Sequence, residues 1–363
     1  MTYREIFKSW FKTFNYTNYR QLMGKTIENS PHHREDNVWV HTQMVMNQFY
    51  TQTGERNWSK EDFMTAIAIA FHDTGKPYTE EINYRDDGSE YRSYKNHEYY
   101  SAGIFMDYIL SNTNDSNIIA NHLSDDDIYN IWVMIAYHLP YQFNDERRRI
   151  LKTHLENYGL VETFTRFIIS DCYGRISDDE KHRNERCHGF IDDFVNLDTV
   201  ERHDVSECNK KIIMIAGVTG CGKTSLIHRV TAEHEHYDCH SMDALRLEWY
   251  SNDYTEAFKM SSEDKSFNNS VARDFFNKLK YGTGILVVDN THIGYKQRKK
   301  YLRNRDTYHE AYVKFISHER NVKQNNRRED KYIPSNVVTR MYYSFQPILL
   351  GEVDDLNIIL EKD

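Results

Sequence analysis

The chain has 363 residues, enough for two domains that each bury a core, and its formal net charge is −9. Its five cysteines include no C-x-x-C pair, which argues against a disulfide framework or a cysteine zinc site and favours a reducing, cytoplasmic location. No stretch reaches the length of a membrane span, and the charged N-terminus does not resemble a signal peptide, so we expect a cytoplasmic protein without a membrane partner.

Residues 1–190 are predicted to be helical throughout, because apolar residues recur at helical spacing in several segments. The clearest of these segments are 61–71, 98–110, 128–137 and 160–176. We therefore expect an all-α first domain over residues 1–200. The polar segment 192–210 lacks clear periodicity and is predicted to be the linker.

From residue 211 onward, apolar strand patterns alternate with helical ones. Strands are predicted at 211–216, 284–288 and 311–316. This alternation is typical of a parallel α/β sheet, so we expect an α/β domain over residues 206–363.

Charge is divided unequally between these halves. Residues 1–205 hold 22 basic and 33 acidic residues, whereas residues 206–363 hold 24 and 22. Residues 296–331 alone carry 12 basic and 5 acidic residues, which would suit a polyanion or equally a solvated helix face.

In the helical half, His72 and Asp73 stand side by side where an apolar helix stops. A single histidine on an apolar face is more often a hydrogen-bonded core residue than a metal ligand. Here, however, a helical bundle could direct several such side chains into one pocket for one or two divalent metals. The other candidates are His41, His97, His138 and Asp171.

The order His, His-Asp, His, His, Asp resembles the HD phosphohydrolase superfamily. The stretches HHREDNVWVHTQMV, HDTGKP and HEYYSAG resemble the HD domains attached to bacterial tRNA nucleotidyltransferases, over most of residues 30–175. The resemblance implies one metal held by His41, His72, Asp73 and Asp171, and a second held by His97 and His138 with Asp73 bridging.

By the same resemblance, Lys76 would contact a substrate phosphate. His33 could contact substrate or lie on the surface, and His122 is the alternative to His138. Manganese, nickel, cobalt and zinc all tolerate histidine-rich ligation. Such a metal would favour hydrolysis of a phosphomonoester or a cyclic phosphodiester.

The run GVTGCGKT at 217–224 matches the phosphate-binding pattern G-x-x-x-x-G-K-[ST] and lies between a predicted strand and a predicted helix, a context that a chance glycine turn would lack. Lys223 would reach the β- and γ-phosphates, and the Thr224 hydroxyl could bind Mg²⁺. The predicted nucleotide-binding residues are Gly217, Thr219, Gly220, Cys221, Gly222, Lys223, Thr224 and Ser225.

The motif D-x-x-R after the predicted second strand places Arg246 one helical turn from Asp243. The carboxylate could accept a proton from an attacking hydroxyl, and it could also cap the helix. Asp289 ends a buried strand, where a carboxylate near Mg²⁺ is expected. Residues 321–342 are arginine-rich and are predicted to form a lid that brings Arg328 over the ATP phosphates.

These motifs together resemble the P-loop polynucleotide 5′-kinases of phage and bacterial nucleic-acid repair, across residues 211–343. The resemblance implies that Asp243 is the general base, Arg246 grips the acceptor and Arg328 is a lid arginine. Where such lids commonly carry an earlier arginine, this chain has Gln324, so Arg320 or Arg327 would substitute.

Both halves taken together resemble the bifunctional bacterial HD-domain polynucleotide kinases. The resemblance implies a nucleic-acid end-healing enzyme that uses ATP, or another nucleoside triphosphate, with Mg²⁺. Its partners would be RNA or DNA ends and a ligase acting on the healed ends. A nucleoside or sugar kinase fused to an HD nucleotidase is one alternative, and an ATP-sensing module with a structural metal is another.

Overall fold

The computed structural model describes residues 1–29, 33–177, 180–250, 253–300, 302, 306–328, 331 and 333–363. The chain forms two compact units, Met1–Val200 and Glu201–Asp363. In the described parts of both units, no helix combines the length and apolar character needed to cross a bilayer.

The first unit is built mainly from helices joined by short connections. The helices are α1 (Tyr3–Phe14), α2 (Asn18–Met23), α3 (Val38–Thr53), α4 (Lys60–Phe71), α5 (His97–Leu110), α6 (Asn114–Ala120), α7 (Asp125–Ala136), α8 (Asp145–Asn157), α9 (Val161–Tyr173) and α10 (Glu180–Val195).

Helices α4 and α7 form the centre of the first unit, because both are buried almost all round. Each begins with a capping box. In α4 the Ser59 hydroxyl accepts from the amide of Asp62 at 3.2 Å, and the Asp62 carboxylate accepts from the Ser59 amide at 3.0 Å. Ser124 and Asp127 repeat this arrangement in α7. Because both helices are buried, the histidines just after their carboxyl ends, His72 and His138, also lie in the core.

The all-α prediction is wrong between α4 and α5. Strands β1 (Glu80–Tyr84) and β2 (Glu90–Tyr94) pair there as an antiparallel hairpin. The Asp-Gly sequence at the turn explains it, since Gly88 takes a left-handed conformation (φ 80°) and the Asp87 carboxylate accepts from the Ser89 amide at 2.8 Å. Because both strands are largely exposed, they carry little of the apolar periodicity on which the helix prediction relied.

The second unit alternates strands and helices. Its elements are β3 (Lys210–Ala216), α11 (Lys223–Thr231), β4 (Asp238–His240), α12 (Met242–Trp249), α13 (Tyr254–Glu263), α14 (Lys265–Tyr281), β5 (Gly284–Asp289), α15 (Tyr295–Arg298), β6 (Thr307–Ile316), α16 (His318–Asn326), α17 (Ser335–Tyr343) and β7 (Asp355–Glu361).

The five strands of this unit form one sheet in the order β4-β5-β3-β6-β7, and every neighbouring pair is parallel. The parallel sheet predicted from the alternating pattern is confirmed, and the predicted strands fall within β3, β5 and β6. Strand β3 lies at the centre and is buried over its last five residues. Parallel strands deliver the loops after their carboxyl ends to one edge, where ligands of open α/β sheets bind.

The segment predicted as a linker, 192–210, is more ordered than its polar composition indicates. It contains the end of α10, a 3-10 turn at Val205–Glu207 and the first residue of β3. The Asp204 carboxylate accepts from the Ser206 amide at 2.8 Å and so caps that turn. Local side-chain caps of this kind order the backbone without any apolar pattern.

Candidate functional site

In the first unit, four predicted metal ligands meet in the core. The Nε2 atom of His41 lies 3.1 Å from an oxygen of Asp171, 3.5 Å from Oδ2 of Asp73 and 3.4 Å from Nε2 of His72. His72 Nε2 lies 3.2 Å from the same Asp73 oxygen. All four side chains are at least nine-tenths buried. Chain positions 41, 72, 73 and 171 therefore converge on one point.

The second oxygen of Asp73 faces a separate pair of histidines. Its Oδ1 atom lies 3.1 Å from Nε2 of His97 and 4.0 Å from Nε2 of His138. These three side chains form a compact group of donor atoms. His122 lies elsewhere, exposed after the end of α6. Of the two alternatives, His138 is the one that reaches the group.

The rings of the four histidines are all oriented by main-chain carbonyl groups. The Nδ1 atoms of His72, His97 and His138 lie 2.7 to 2.8 Å from the carbonyl oxygen three residues earlier in each case, and Nδ1 of His41 lies 3.2 Å from the carbonyl of Gly174. A carbonyl oxygen can only accept, so Nδ1 carries the hydrogen in every ring. Nε2 is therefore the ring nitrogen that each histidine turns toward the carboxylates, and the one that would bind a metal.

The pKa values of the group are set by two opposing effects, burial and the charges and hydrogen bonds of close neighbours. Burial raises the pKa of Asp73, but the charges of His72 and Lys76 outweigh it, so the pKa lies well below the ordinary value. Burial lowers the pKa of His41, but hydrogen bonds to Asp171 and Glu35 outweigh that effect and raise it to about 10. A metal cation at this point would replace the proton that the His41 ring binds.

The donor set fits a transition-type metal. Four donors about 2.1 Å from one ion are separated by roughly 3.4 Å in a tetrahedron and roughly 3.0 Å at right angles. The five separations that the contacts give, those involving His41 or His72, are 3.1 to 3.9 Å and lie around the tetrahedral value. Oδ2 of Asp73 pairs with the Lys76 ammonium at 2.9 Å, whereas Oδ1 accepts no well-formed hydrogen bond among the described residues. A buried carboxylate oxygen without a hydrogen bond is costly unless a further positive charge compensates for it.

Lys76, predicted to contact a substrate phosphate, is buried between two carboxylates. Its Nζ atom lies 2.6 Å from Glu28 and 2.9 Å from Oδ2 of Asp73. Burial lowers the pKa of Lys76, but the charges of Asp73 and Glu28 raise it by more. The side chain therefore stays charged. His33 lies beside the group with its ring edge-on to His41, 5.0 Å between centroids.

Two further charged residues belong to this site and were not predicted. Glu35 is buried, accepts from the Ile176 amide at 2.8 Å and lies 3.6 Å from Nδ1 of His41. Arg175 lies near Asp171, and its charge is the largest influence lowering the pKa of that carboxyl against burial. It follows Asp171 by four residues, just after the end of α9, and this closeness in the chain is the sequence signal that could have indicated it.

In the second unit, the glycine loop joins the central strand β3 to helix α11. Gly217, Gly220 and Gly222 all have positive φ values, 153°, 86° and 86°. A Cβ on Gly220 would lie 2.8 Å from the carbonyl oxygen of Asn321, and one on Gly217 would lie 2.5 Å from that of Lys314. Only glycine fits this backbone.

The predicted loop side chains occupy different positions. The Lys223 ammonium donates to the carbonyls of Gly217 and Val218 at 3.1 and 3.3 Å, so it lies across the loop. Thr219 and Thr224 line the same cavity as Lys223. Cys221 is buried beneath the loop and Ser225 is exposed on α11, so neither faces that cavity.

Asp243 lies on α12 with its carboxylate held by two cations. Arg246 Nη1 lies 2.6 Å from one oxygen, and the Lys331 ammonium contacts the other. The helix N-cap is Ser241, whose hydroxyl accepts from the Asp243 amide at 3.2 Å. The capping interpretation of Asp243 is therefore wrong, because a capping residue two positions earlier already serves the helix.

The arginine-rich segment predicted as a lid contains α16 and α17; residues 329, 330 and 332 of it lie outside the described residues. Helix α16 packs on the glycine loop, since Asn321 donates to the Thr219 carbonyl at 2.8 Å. In the amide orientation that satisfies its neighbours, Gln324 donates to the Gly220 carbonyl at 2.6 Å and accepts from Arg320 at 3.2 Å. Arg320 also pairs with Glu361 at 3.1 Å.

Arg328 and Gln324 both face the cavity, whereas Arg327 is exposed at the end of α16. Neither proposed substitute for the missing lid arginine thus lines the cavity. Gln324 occupies that position itself, with Arg320 bonded behind it.

These elements enclose one cavity of about 780 Å³ at the carboxyl edge of the sheet. It is large enough for a nucleotide and part of an acceptor. Its functional lining comprises Thr219, Gly220, Gly222, Lys223, Thr224, Asp243, Arg246, Asp289, Arg328 and Lys331.

Comparisons with known proteins give weak likenesses. No protein-family model and no curated protein matches the chain. A gluconokinase from Sinorhizobium meliloti 1021 is 17% identical with a TM-score of 0.32, over 43% of this chain and 85% of that one. A chain of the Pnkp1/Rnl/Hen1 RNA repair complex is 18% identical with a TM-score of 0.29, over 40% of this chain and only half of that one. Likenesses this weak carry no inference about substrate.

The second unit itself supplies the fold assignment. A parallel sheet, a glycine loop after its central strand and a helix that begins at the loop lysine form the P-loop arrangement. The unit therefore has a P-loop α/β fold. A fold of this kind implies a nucleoside triphosphate with Mg²⁺.

Proposed function

We propose that the chain is a nucleic-acid end-healing enzyme with two separate activities. The second unit would transfer the γ-phosphate of ATP, or of another nucleoside triphosphate, to the 5′-hydroxyl of RNA or DNA. The first unit would remove a 2′,3′-cyclic, 2′- or 3′-phosphate with a divalent metal. The observation that carries the kinase half is that Asp243 and Arg246 share one cavity with Lys223.

In the kinase reaction the 5′-oxygen forms a bond to the γ-phosphorus as the bond to the β,γ-bridging oxygen breaks. Asp243 accepts the proton of the hydroxyl, and Arg246, only 2.6 Å from that carboxylate, binds the acceptor phosphate. Lys223 and Arg328 neutralise charge on the transferred group. The Thr224 hydroxyl and Asp289 would hold Mg²⁺.

The phosphoesterase half is supported by the carboxylate of Asp73, whose two oxygens face two groups of histidine nitrogens. When bound there, a divalent metal lowers the pKa of a water molecule and neutralises a phosphoryl oxygen. His41, His72 and Asp171 would hold one ion with Asp73, and His97 and His138 the other. Arg175 adds a positive charge beside Asp171 that can attract the phosphate of the substrate.

The pairing of these activities makes chemical sense. A broken RNA with a 2′,3′-cyclic phosphate and a 5′-hydroxyl has no end that a ligase can use. One end must lose phosphate and the other must gain it. A ligase acting on the healed ends is accordingly the partner that we propose.

The test is end-group mapping of one RNA that carries both a 2′,3′-cyclic phosphate and a 5′-hydroxyl, with metal analysis of the purified protein. We expect Lys223→Ala and Asp243→Ala to lose 5′-phosphorylation and keep 3′-end healing, and Asp73→Ala to show the reverse. Loss of both activities in a single, still folded variant would contradict two independent sites.

Free nucleosides and sugars serve as competing acceptors in the same assay. Phosphorylation of these molecules but not of the RNA would favour the small-molecule kinase. Binding of ATP without transfer to any acceptor would favour the ATP-sensing module. Either result would overturn the end-healing proposal.

A further inference from the structure

Two aromatic rings line the acceptor side of the kinase cavity. Tyr254 and Phe258 lie one turn apart on α13, so they share a face of that helix. Their ring centroids are 6.0 Å apart and their planes are inclined by 22°. Phe258 is 51% exposed although it lines the cavity. A large ring left open to an active-site cavity is available to a ligand.

Each ring is paired with a cation that also contacts Asp243. The Arg246 guanidinium lies 5.9 Å from the Phe258 centroid, and the Lys331 ammonium lies 4.4 Å from that of Tyr254. The same cations hold the two oxygens of the Asp243 carboxylate. The rings thus lie within one side-chain length of the group that would receive the hydroxyl proton.

The cavity offers apolar surface that suits a planar, aromatic ligand. Leu247 and Met341 line it together with Phe258. A sugar hydroxyl needs a hydrogen-bond partner when it is buried, which aliphatic and phenyl groups do not provide. A nucleobase offers a flat π-face, and aromatic side chains stack on such faces with little regard to base identity.

We propose that Tyr254 and Phe258 form the platform on which the base of the 5′-terminal acceptor nucleotide stacks. This inference rests on the proposed kinase function and names its acceptor as a base-bearing nucleotide. Phe258 contributes the open ring face, and Tyr254 orients the Phe258 ring. The cations beside the rings meet the phosphate on the 3′ side of that nucleotide. Specificity for the end of a nucleic acid then comes from a stacked base and a bound phosphate together.

The experiment compares two acceptors, a 5′-hydroxyl oligonucleotide and the same oligonucleotide with an abasic 5′-terminal residue. For the intact acceptor, we expect Phe258→Ala to raise the KM on the order of tenfold and to leave the KM for ATP unchanged. Phe258→Trp should restore the lower KM. For the abasic acceptor, the wild-type protein should already show the raised KM, and Phe258→Ala should add little.

Tyr281→Ala is the matched control, because Tyr281 is 71% exposed at the end of α14 and does not line the cavity. Melting temperatures of all variants should agree, since Phe258 is largely exposed. An unchanged KM in Phe258→Ala, or an equal rise for intact and abasic acceptors, would overturn the platform while leaving the kinase function standing. Transfer to no oligonucleotide at all would instead overturn the kinase function itself.

Discussion

Lys331 forms an ion pair with Asp243, reaching from the segment after α16 to the carboxylate on α12. Arg246 holds the other oxygen at 2.6 Å, so the carboxylate is fixed between two positive charges. The direction of the carboxylate is thus set before any acceptor binds.

We expect Asp243→Asn to lower kcat of the kinase reaction by roughly 10²- to 10⁴-fold, because an amide keeps the shape but cannot accept the proton. Binding of ATP should change little, as measured by calorimetry. Asp274→Asn is the control, since Asp274 pairs only with a neighbouring lysine on α14 at 3.5 Å among the contacts described. A kcat within twofold of the wild type would rule out Asp243 as the base.

We expect Gly220→Ala to weaken ATP binding on the order of tenfold, with strain of about 1–3 kcal/mol. The added Cβ would lie 2.8 Å from the Asn321 carbonyl oxygen at a φ of +86°. Gly294→Ala is the control, because a Cβ there meets no atom within 4 Å and φ is −115°. Titration of both variants with ATP measures the effect, and equal affinities would contradict it.

We expect Glu35→Gln to weaken metal binding to the first unit by about 10- to 100-fold. The carboxylate lies 3.6 Å from Nδ1 of His41 and supports the ring orientation that points Nε2 at Asp171. Glu55→Gln, at a side chain that is 97% exposed, is the control. Competition with a chelator of known affinity gives the measurement. Unaltered affinity would show that the Gly174 carbonyl alone orients His41.

We expect Asp354→Asn to remove part of the acid sensitivity of the second unit. The Asp354 oxygens accept from the amides of His203 and His309 at 2.7 and 2.8 Å. Burial raises the pKa of Asp354. A hydrogen bond from the His309 side chain, followed by those from the two amides, outweighs burial and lowers the pKa below the ordinary value. The stabilisation is present above the unfolded pKa of about 3.9 and is lost as the pH falls through the folded value.

Calorimetric unfolding between pH 7 and pH 3 tests this expectation, with the transition of the second unit identified by its shift on adding ATP. At pH 7 the variant should be less stable by about 1–3 kcal/mol, because a charged acceptor is lost. As the pH falls below about 4, the difference in stability between the two proteins should shrink progressively. Parallel pH curves for variant and wild type would contradict the assignment.

The residues that carry strong local signals were accessible from sequence. The glycine loop has a fixed pattern, and the His72-Asp73 pair stands out where an apolar helix ends. Glu35 carries no such signal, because it reaches the site only where the segment after α9 packs against the segment before α3. Arg175 had only its closeness to Asp171 in the chain to indicate it. The role of Asp243 was ambiguous between general base and helix cap, since Ser241 and Asp243 are both polar residues that could begin the helix.

The hairpin and the lid show two other limits. No residue of strands β1 and β2 is fully buried and the strands lack apolar alternation, so only the Asp-Gly turn indicated them. At the lid, the number of arginines in the sequence did not show which of them would face the cavity. Gln324 bonds to the loop itself, and Arg320 bonds to Glu361 behind it.

The carbonyl groups that hold Nδ1 of His72, His97 and His138 lie three residues before each histidine in the chain. Local backbone geometry therefore sets which nitrogen each of these three rings turns toward Asp73. Substitution of a neighbouring side chain such as Glu35 can then change how strongly a metal is held, but not which nitrogen these rings offer to it.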